Sequence, residues 1–384
     1  MKIMFKLILP AICLGALSFA VAAQDVIPIT KQATHLIPIT VTGFSGEAES
    51  VLKFDLSVLG MEVTDSGEYI VSGKNNGRVE GSLTQAGMSR PIFVRAYAGG
   101  STRSQAHAFA NDIVKELRQT APIFQTKIAF RLTRGSDTEI CMSDFDGNNP
   151  VILTHDNALV ATPSWLPGGR ALLYTSWMRG NPEIYEHNLG TGARRVFAGY
   201  PGMNCSAEAS PDGQKVAMIL SKGGSPNLYV SDAAGSHLQQ LTHTHEEDSG
   251  LCWSPDSREI CFVCRTGRAV LQKIGADGGQ AVSMRVSGTF GNNLTSPDWS
   301  PDGSKIAFTT GSVNFSICVM PSEGGAAEQL VTGEDPCWAP NSRTIIFTQR
   351  RGEKRVLCLL DVPTKHVKDV RQISGSCSEP TWAR

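Results

Sequence analysis

At 384 residues the chain exceeds a typical single domain, so two domains are expected. A net charge of -1 with 18% charged residues provides no basic footprint for a phosphate backbone, which argues against nucleic acid as a partner.

Residues 1–23 read as a secretory signal peptide. Lys2 and Lys6 supply the basic start, Leu7 to Ala20 the apolar core, and Ala20-Val21-Ala22-Ala23 a small-residue cleavage site. The core is too short to span a bilayer, and no other segment is long and apolar enough to do so. Cys13 lies inside that core and is not read as a lipid acceptor. The mature chain is expected to start near Gln24, soluble and outside the cytoplasm.

A small α/β domain is expected over residues 24–125, led by a mobile arm from Gln24 to about His35. Its elements are a strand from Leu36 to Val41, a helix from Glu47 to Leu59, and strands Tyr69 to Ser72, Val79 to Thr84 and Pro91 to Tyr97. Ser104 to Gln119 follows as an amphipathic helix, with Phe109, Ile113 and Leu117 on one face. Thr120-Ala121-Pro122 then makes a short connection.

Within residues 126–384, expected as the second domain, the stretch from Thr162 to Arg384 repeats one phrase, clearest at Ser296-Pro297-Asp298-Trp299-Ser300-Pro301-Asp302-Gly303. The tryptophan position recurs at Trp165, Ala209, Trp253, Trp299, Trp338 and Trp382, in steps of 44, 44, 46, 39 and 44 residues. Such a period with several short strands per unit predicts a β-propeller with one four-stranded blade per repeat. Ser-Pro-Asp-Gly fits a type I turn between the first and second strands, with proline fixing φ and glycine at the exit. Second strands follow at Lys215 to Met218, Glu259 to Phe262, Lys305 to Phe308 and Thr344 to Phe347. Lys127 to Phe130, Glu139 to Asp144 and Val151 to Thr154 read as second, third and fourth strands that lack a first. The chain reaches Pro380-Thr381-Trp382, a first strand lacking its blade. The fold class expected is therefore an all-β six-bladed propeller closed by the C-terminal strand, with a small N-terminal α/β domain, and the sealed ring would leave no sheet edge exposed.

Without Cys13 the chain has nine cysteines, an odd number, so at least one thiol is unpaired in a monomer. Cys141, Cys318 and Cys358 fall where other repeats carry Tyr185 and Tyr229, and Cys261 falls where they carry Leu173, Ala217 and Ala307. Equivalent positions on separate blades cannot bridge, so these cysteines are expected to be small buried hydrophobes. Cys261 and Cys264 form a Cys-x-x-Cys whose thiols point to opposite faces of a strand. His243-Thr244-His245 lacks a third ligand, and Asp144-Phe145-Asp146-Gly147 lacks the remainder of a calcium loop, so no metal and no cofactor are expected.

The signal peptide, the small front domain and the six repeats together resemble the TolB family of the periplasmic Tol-Pal system. The likeness is strongest at Met142 to Gly147, at Asn227-Leu228-Tyr229-Val230-Ser231-Asp232 and at Pro380-Thr381-Trp382, and it covers essentially the whole chain. One departure is the direct passage from strand to strand between Asp65 and Glu68, where the family usually has an additional helical stretch. The resemblance implies a non-enzymatic monomer in the periplasm that binds the lipoprotein Pal at the channel mouth and TolA through its N-terminal segment. It also implies roles in outer-membrane integrity and in envelope invagination at division, with the membrane reached through partners only. Carried onto this chain, the TolA-binding arm is Gln24, Asp25, Val26, Ile27, Pro28, Ile29 and Thr30. Read from its residues alone, that segment is equally a disordered leader or a first strand.

Propellers present ligands on the loops that lead into the inner strands, which converge while the blades stay rigid. The docking residues expected for Pal are Met203, Asn204, Cys205 and Ser206; Glu247, Asp248 and Ser249; Asn292, Asn293 and Thr295; Glu334 and Asp335; and Ser378 and Glu379. Their carbonyl, amide and carboxylate groups suit a polar protein partner; as ordinary residues they would be solvated loops. The rival classes are a propeller hydrolase or peptidase and a glycan-binding exported propeller. Against the first, no Gly-x-Ser-x-Gly elbow occurs, and the histidines are scattered among separate strands and loops.

Overall fold

The computed structural model describes residues 34–288, 293–311, 314–370 and 373–384. Residues 1–23, read as a signal peptide, the Gln24–Thr30 segment and Asn292 lie outside the described residues. No described helix is long and apolar enough to cross a membrane.

The N-terminal region is built from β1 (Ile37–Thr42), α1 (Gly46–Val58), β2 (Met61–Val63), β3 (Tyr69–Lys74), β4 (Val79–Gln85), β5 (Phe93–Tyr97) and α2 (Thr102–Arg118). These strands form one sheet in the order β2-β1-β3-β4-β5, parallel where β1 meets β2 and β3 and antiparallel beyond. Three residues cannot display an alternation, which is why the edge strand β2 escapes a reading by pattern. Ser101 caps α2 by accepting the Ser104 N–H, and Gln119 ends it in the left-handed region at φ 51°. Phe109 and Ile113 face the core from α2. Gly81 of β4 is required there, because a Cβ would stand 2.3 Å from the Phe109 ring.

Six four-stranded sheets form the propeller. Blade one runs Val160–Trp165, Ala171–Ser176, Glu183–Asn188 and Arg194–Ala198, and blades two to five repeat this antiparallel order. The sixth blade is assembled from both ends of the propeller segment: Ser376–Trp382 pairs antiparallel with Lys127–Arg134, matching Thr381 to Ala129 and Trp382 to Ile128. Each predicted tryptophan-position residue ends the first strand of its blade.

Turn chemistry and tryptophans tie the blades together. In blade two the Gly213 N–H donates to the Ser210 carbonyl at 2.8 Å, closing the turn, while the Ser210 hydroxyl donates to Asp212 at 2.6 Å and accepts the Lys215 N–H at 3.0 Å. The Asp212 N–H reaches the Ser257 hydroxyl in the next blade's turn, as the Asp302 N–H reaches Ser342. The Trp253 indole donates to the Glu208 carbonyl of blade two at 2.9 Å, and Trp165 donates to the Thr381 carbonyl of blade six at 3.3 Å.

Phe145, in the turn between the third and fourth strands of blade six, is buried against Phe54 of α1, Phe124 and His107 of α2, with ring centroids 6.2, 5.4 and 5.6 Å away. One apolar cluster thus runs from the N-terminal helices into blades five and six. The buried Trp382 belongs to it and donates to the Thr126 hydroxyl at 2.7 Å. Replacing Trp382 with Ala is therefore expected to lower stability by about 3–5 kcal/mol, the usual cost of deleting a large buried aromatic, read from the midpoint of urea unfolding.

Candidate functional site: the channel and its two faces

In every blade the first strand ends at the turn to the second strand and the third ends at the turn to the fourth, so these turns share one face of the ring. Connections between blades, and turns from second to third strands, share the other. The N-terminal region is seated on the first face: the Thr120 hydroxyl donates to the Asn341 carbonyl at 3.4 Å, Gly60 lies against Asp361 and Thr364, and Arg103 pairs with Asp146. Asn341, Asp361, Thr364 and Asp146 all belong to that face's turns in blades five and six.

The residues singled out from the sequence lie toward the opposite face, at the starts of the first strands. Most are in strands rather than the loops expected: Asn204–Ala209, Glu247–Trp253, Leu294–Trp299, Glu334–Trp338 and Ser376–Trp382. The physical reason is a β-bulge in each first strand, which lets pairing continue to the channel rim. Thr162, Ser206, Gly250, Ser296, Asp335 and Glu379 occupy it, each with φ between 45° and 55°. These residues stand three positions before the tryptophan position in all six blades.

Exposure then sorts the docking set. Glu247 is exposed, and Met203, Cys205, Ser206, Ser249, Asn293, Thr295, Glu334, Asp335 and Glu379 are half-buried at the rim or in the channel wall. Asn204 is fully buried: its amide donates to the carbonyls of Tyr200, Gly202 and Pro182 and accepts the Tyr200 N–H at 2.8 Å. Asp248 is likewise buried, its carboxylate accepting from the Thr242 hydroxyl while its N–H donates to the Pro226 carbonyl at 3.0 Å. Ser378 is buried beside Arg131 at 3.1 Å. These three shape the rim from within. Two exposed apolar side chains that the sequence reading passed over, Leu159 and Met178, stand on the same face, linked by the Trp177 N–H to the Leu159 carbonyl at 3.0 Å.

Below the bulge ring lies a cavity of about 430 Å³, lined by Glu208, Asp298, Asp335, Glu379, Arg384 and the turn prolines Pro167, Pro211, Pro255 and Pro301, among others. Burial pushes Glu208 up to about 8, helped by the neighbouring Asp298 and opposed by Arg384. Burial likewise raises Asp335 to about 6, with the Glu379 and Glu334 charges adding to it. Arg384 crosses the channel floor, paired with Asp298 and donating to the Trp338 carbonyl at 3.0 Å. Thr162 N–H donates to Glu379 at 2.6 Å and Glu379 N–H to Asp335 at 3.3 Å, so bulge residues of neighbouring blades bond one another. Glu208 and Asp298 each precede the tryptophan position, where other blades carry Ser164, Cys252, Cys337 and Thr381; comparing that single column would have found them. The chemistry on offer is a polar, acidic channel engaged in its own hydrogen bonds.

All nine described cysteines are free thiols, eight of them buried. Cys261 and Cys264 fall into different core clusters, as opposite strand faces require. His243 and His245 are both exposed.

A family model described as the TolB beta propeller domain matches residues 114–384. The Tol-Pal system protein TolB of Bordetella pertussis is 32% identical over 285 residues, covering 73% of this chain and 65% of the relative. That of Bordetella bronchiseptica is 32% identical over 285 residues, covering 73% and 64%. The match thus spans just under two thirds of these relatives' length. In fold, the chain is similar to the crystal structure of TolB from Acinetobacter baumannii, with a TM-score of 0.81 at 20% identity over 91% of this chain and 97% of that one.

Because the folded state raises Glu208 from its usual 4.5 to about 8, its contribution is fully present below about pH 4.5 and is lost as pH rises through about 8. Glu208→Gln is expected to flatten the fall in stability between those limits and to exceed the parent above pH 8, measured by urea midpoints across that range.

Proposed function

Because this chain belongs to the TolB family, we propose that it works as the propeller component of a Tol-Pal system, a non-enzymatic scaffold in the periplasm. The family membership carries this reading, supported by a ring whose one face holds the N-terminal region while the other presents a channel rim. On that rim the lipoprotein Pal docks, and TolA engages the N-terminal segment Gln24–Thr30. Through these two partners the protein supports outer-membrane integrity and envelope invagination at division.

The rim suits a protein ligand for a physical reason. Two exposed apolar side chains, Leu159 and Met178, share one face of the ring with polar groups that include Glu247, Asn293 and Glu334. Apolar anchors bordered by hydrogen-bonding groups are how protein interfaces concentrate their binding energy. Glu247 and Glu334 are held on strands, so little conformational freedom has to be lost there on docking. Glu334 is pre-oriented by Arg355 at 2.8 Å.

Joint replacement of Met178, Glu247 and Glu334 by Ala is expected to weaken Pal binding at least about tenfold by calorimetry, since interface truncations of this kind cost about 1 kcal/mol or more each at a hot spot. Unchanged affinity would remove the rim from the docking surface. Turnover of peptide or ester substrates by the purified protein would overturn the scaffold reading itself.

A further inference from the structure

Where α1, α2 and the propeller meet, the side chains of Asp55, His107 and Asp146 are buried together beside a half-buried arginine. Asp55 of α1 is fully buried, and its Oδ2 lies 2.7 Å from Nδ1 of His107 on α2. The other ring nitrogen, Nε2, faces Oδ2 of Asp146 at 3.8 Å, and Asp146 sits on the blade-six turn beside Phe145. Arg103, one turn before His107 on α2, pairs with the same Asp146 oxygen. The imidazole therefore stands between a carboxylate of its own region and a carboxylate of the propeller. The ligand atoms of Asp55, His107 and Asp146 lie within 4.8 Å of one another, but Arg103 already places a cation on Asp146.

Charge counting gives this group its character. Two carboxylates face one permanent cation, so the group is neutral only when the Asp55–His107 pair holds one proton more than a carboxylate facing a neutral imidazole. With that proton on the ring, Nδ1–H donates to Asp55 and Nε2–H faces Asp146, which ties α2 to both. With one proton lost, one carboxylate meets a ring lone pair, and a net negative charge is left in a buried site, which is unfavourable. Asp55 Oδ1 already lacks a partner. The charged groups facing Asp55 are His107 and Arg103 from α2 and Asp146 from the turn, with Glu47 of α1 lining a cleft of about 290 Å³ that reaches Arg103 and Asp146 from outside. That cleft gives protons a route. Elsewhere the junction is held by apolar contacts around Phe145 and by single hydrogen bonds such as Thr120 to Asn341.

We propose that the Asp55–His107 pair is a proton-operated latch between the N-terminal region and the propeller: holding its extra proton it locks α2 onto the blade-six turn, and loss of that proton loosens the docking. Burial raises Asp55 to about 6, which agrees with proton uptake by this group in mildly acid conditions. The sign follows from that direction: a carboxyl raised in the folded state favours the docked form below its pKa and weakens it as pH rises.

Hydrogen–deuterium exchange of the full chain tests this, with each pH corrected for the intrinsic exchange rate. Amides of α2 and of residues 145–148 are expected to be protected at least about fivefold more at pH 5.5 than at pH 8, while blade-three strands stay unchanged; one proton taken up by the docked form alone can shift an equilibrium tenfold per pH unit. His107→Gln combined with Asp55→Asn removes both titrating groups of the pair while keeping size and hydrogen bonding, and should make interface protection independent of pH. Asp146→Asn, which keeps the buried Asp55–His107 pair, should reduce the response and decides the matter if the double variant does not fold. Flat protection in the parent, an equal change in blade three, or a parent-like response in either variant would overturn the latch.

Discussion

The pairing of Ser376–Trp382 with Lys127–Arg134 brings together residues such as Ser378 and Arg131, 247 positions apart, bonded at 3.1 Å. Closing a loop of that length carries an entropic cost that grows only slowly with length, whereas leaving the ring open would expose two sheet edges and the apolar flanks of two blades. Closure also fixes the channel. Trp165 of blade one donates to the Thr381 carbonyl and Thr162 to Glu379, so blade one is aligned against a strand that exists only because the far end of the chain supplies it. Arg384, two residues beyond Trp382, then reaches blades four and five through Asp298 and Trp338.

The two faces of the ring are made by different local chemistry. On one face, Ser-Pro-Asp-Gly turns bond from blade to blade through pairs such as Asp212 to Ser257, giving a rigid, closely knit platform on which the N-terminal region packs. On the other, each first strand bends at a left-handed residue before it reaches the rim. A bulge frees backbone groups from the ladder and turns them toward the neighbouring blade, as Thr162 and Glu379 show with their acceptors. A structured rim at one end and a docked domain at the other follow from one repeated strand whose two ends are made differently.

The propeller was legible because its signal is redundant. Six copies of a tryptophan position with proline and glycine at fixed offsets leave one architecture, and the two incomplete blades complement each other. The bulges were not legible, because the residues that occupy them are Thr162, Ser206, Gly250, Ser296, Asp335 and Glu379, and only one is the glycine that normally marks positive φ. For the same reason Asn204 and Asp248 read as solvated loop groups, although each is buried with partners supplied by its own chain. The cluster of Asp55, His107 and Asp146 left no trace in the sequence either. Its members lie on two helices and a turn, and only the packing of Phe145 against Phe54 and Phe124 brings them within reach.

Buried charge in the channel bears on how the ring keeps its shape. Asp298 is raised by burial and opposed by Arg384, and Asp298 also accepts the Trp338 N–H at 2.5 Å. Desolvating such a pair offsets much of its attraction, so its gain over an apolar pair of the same volume is small. Its geometric effect is different: the guanidinium can satisfy Asp298 and the Trp299 and Trp338 carbonyls together only when blades four, five and six hold one mutual angle. Apolar side chains would tolerate a range of angles. The channel carboxylates and Arg384 therefore act chiefly on which ring forms, while the tryptophans and the closing strand determine how firmly it holds.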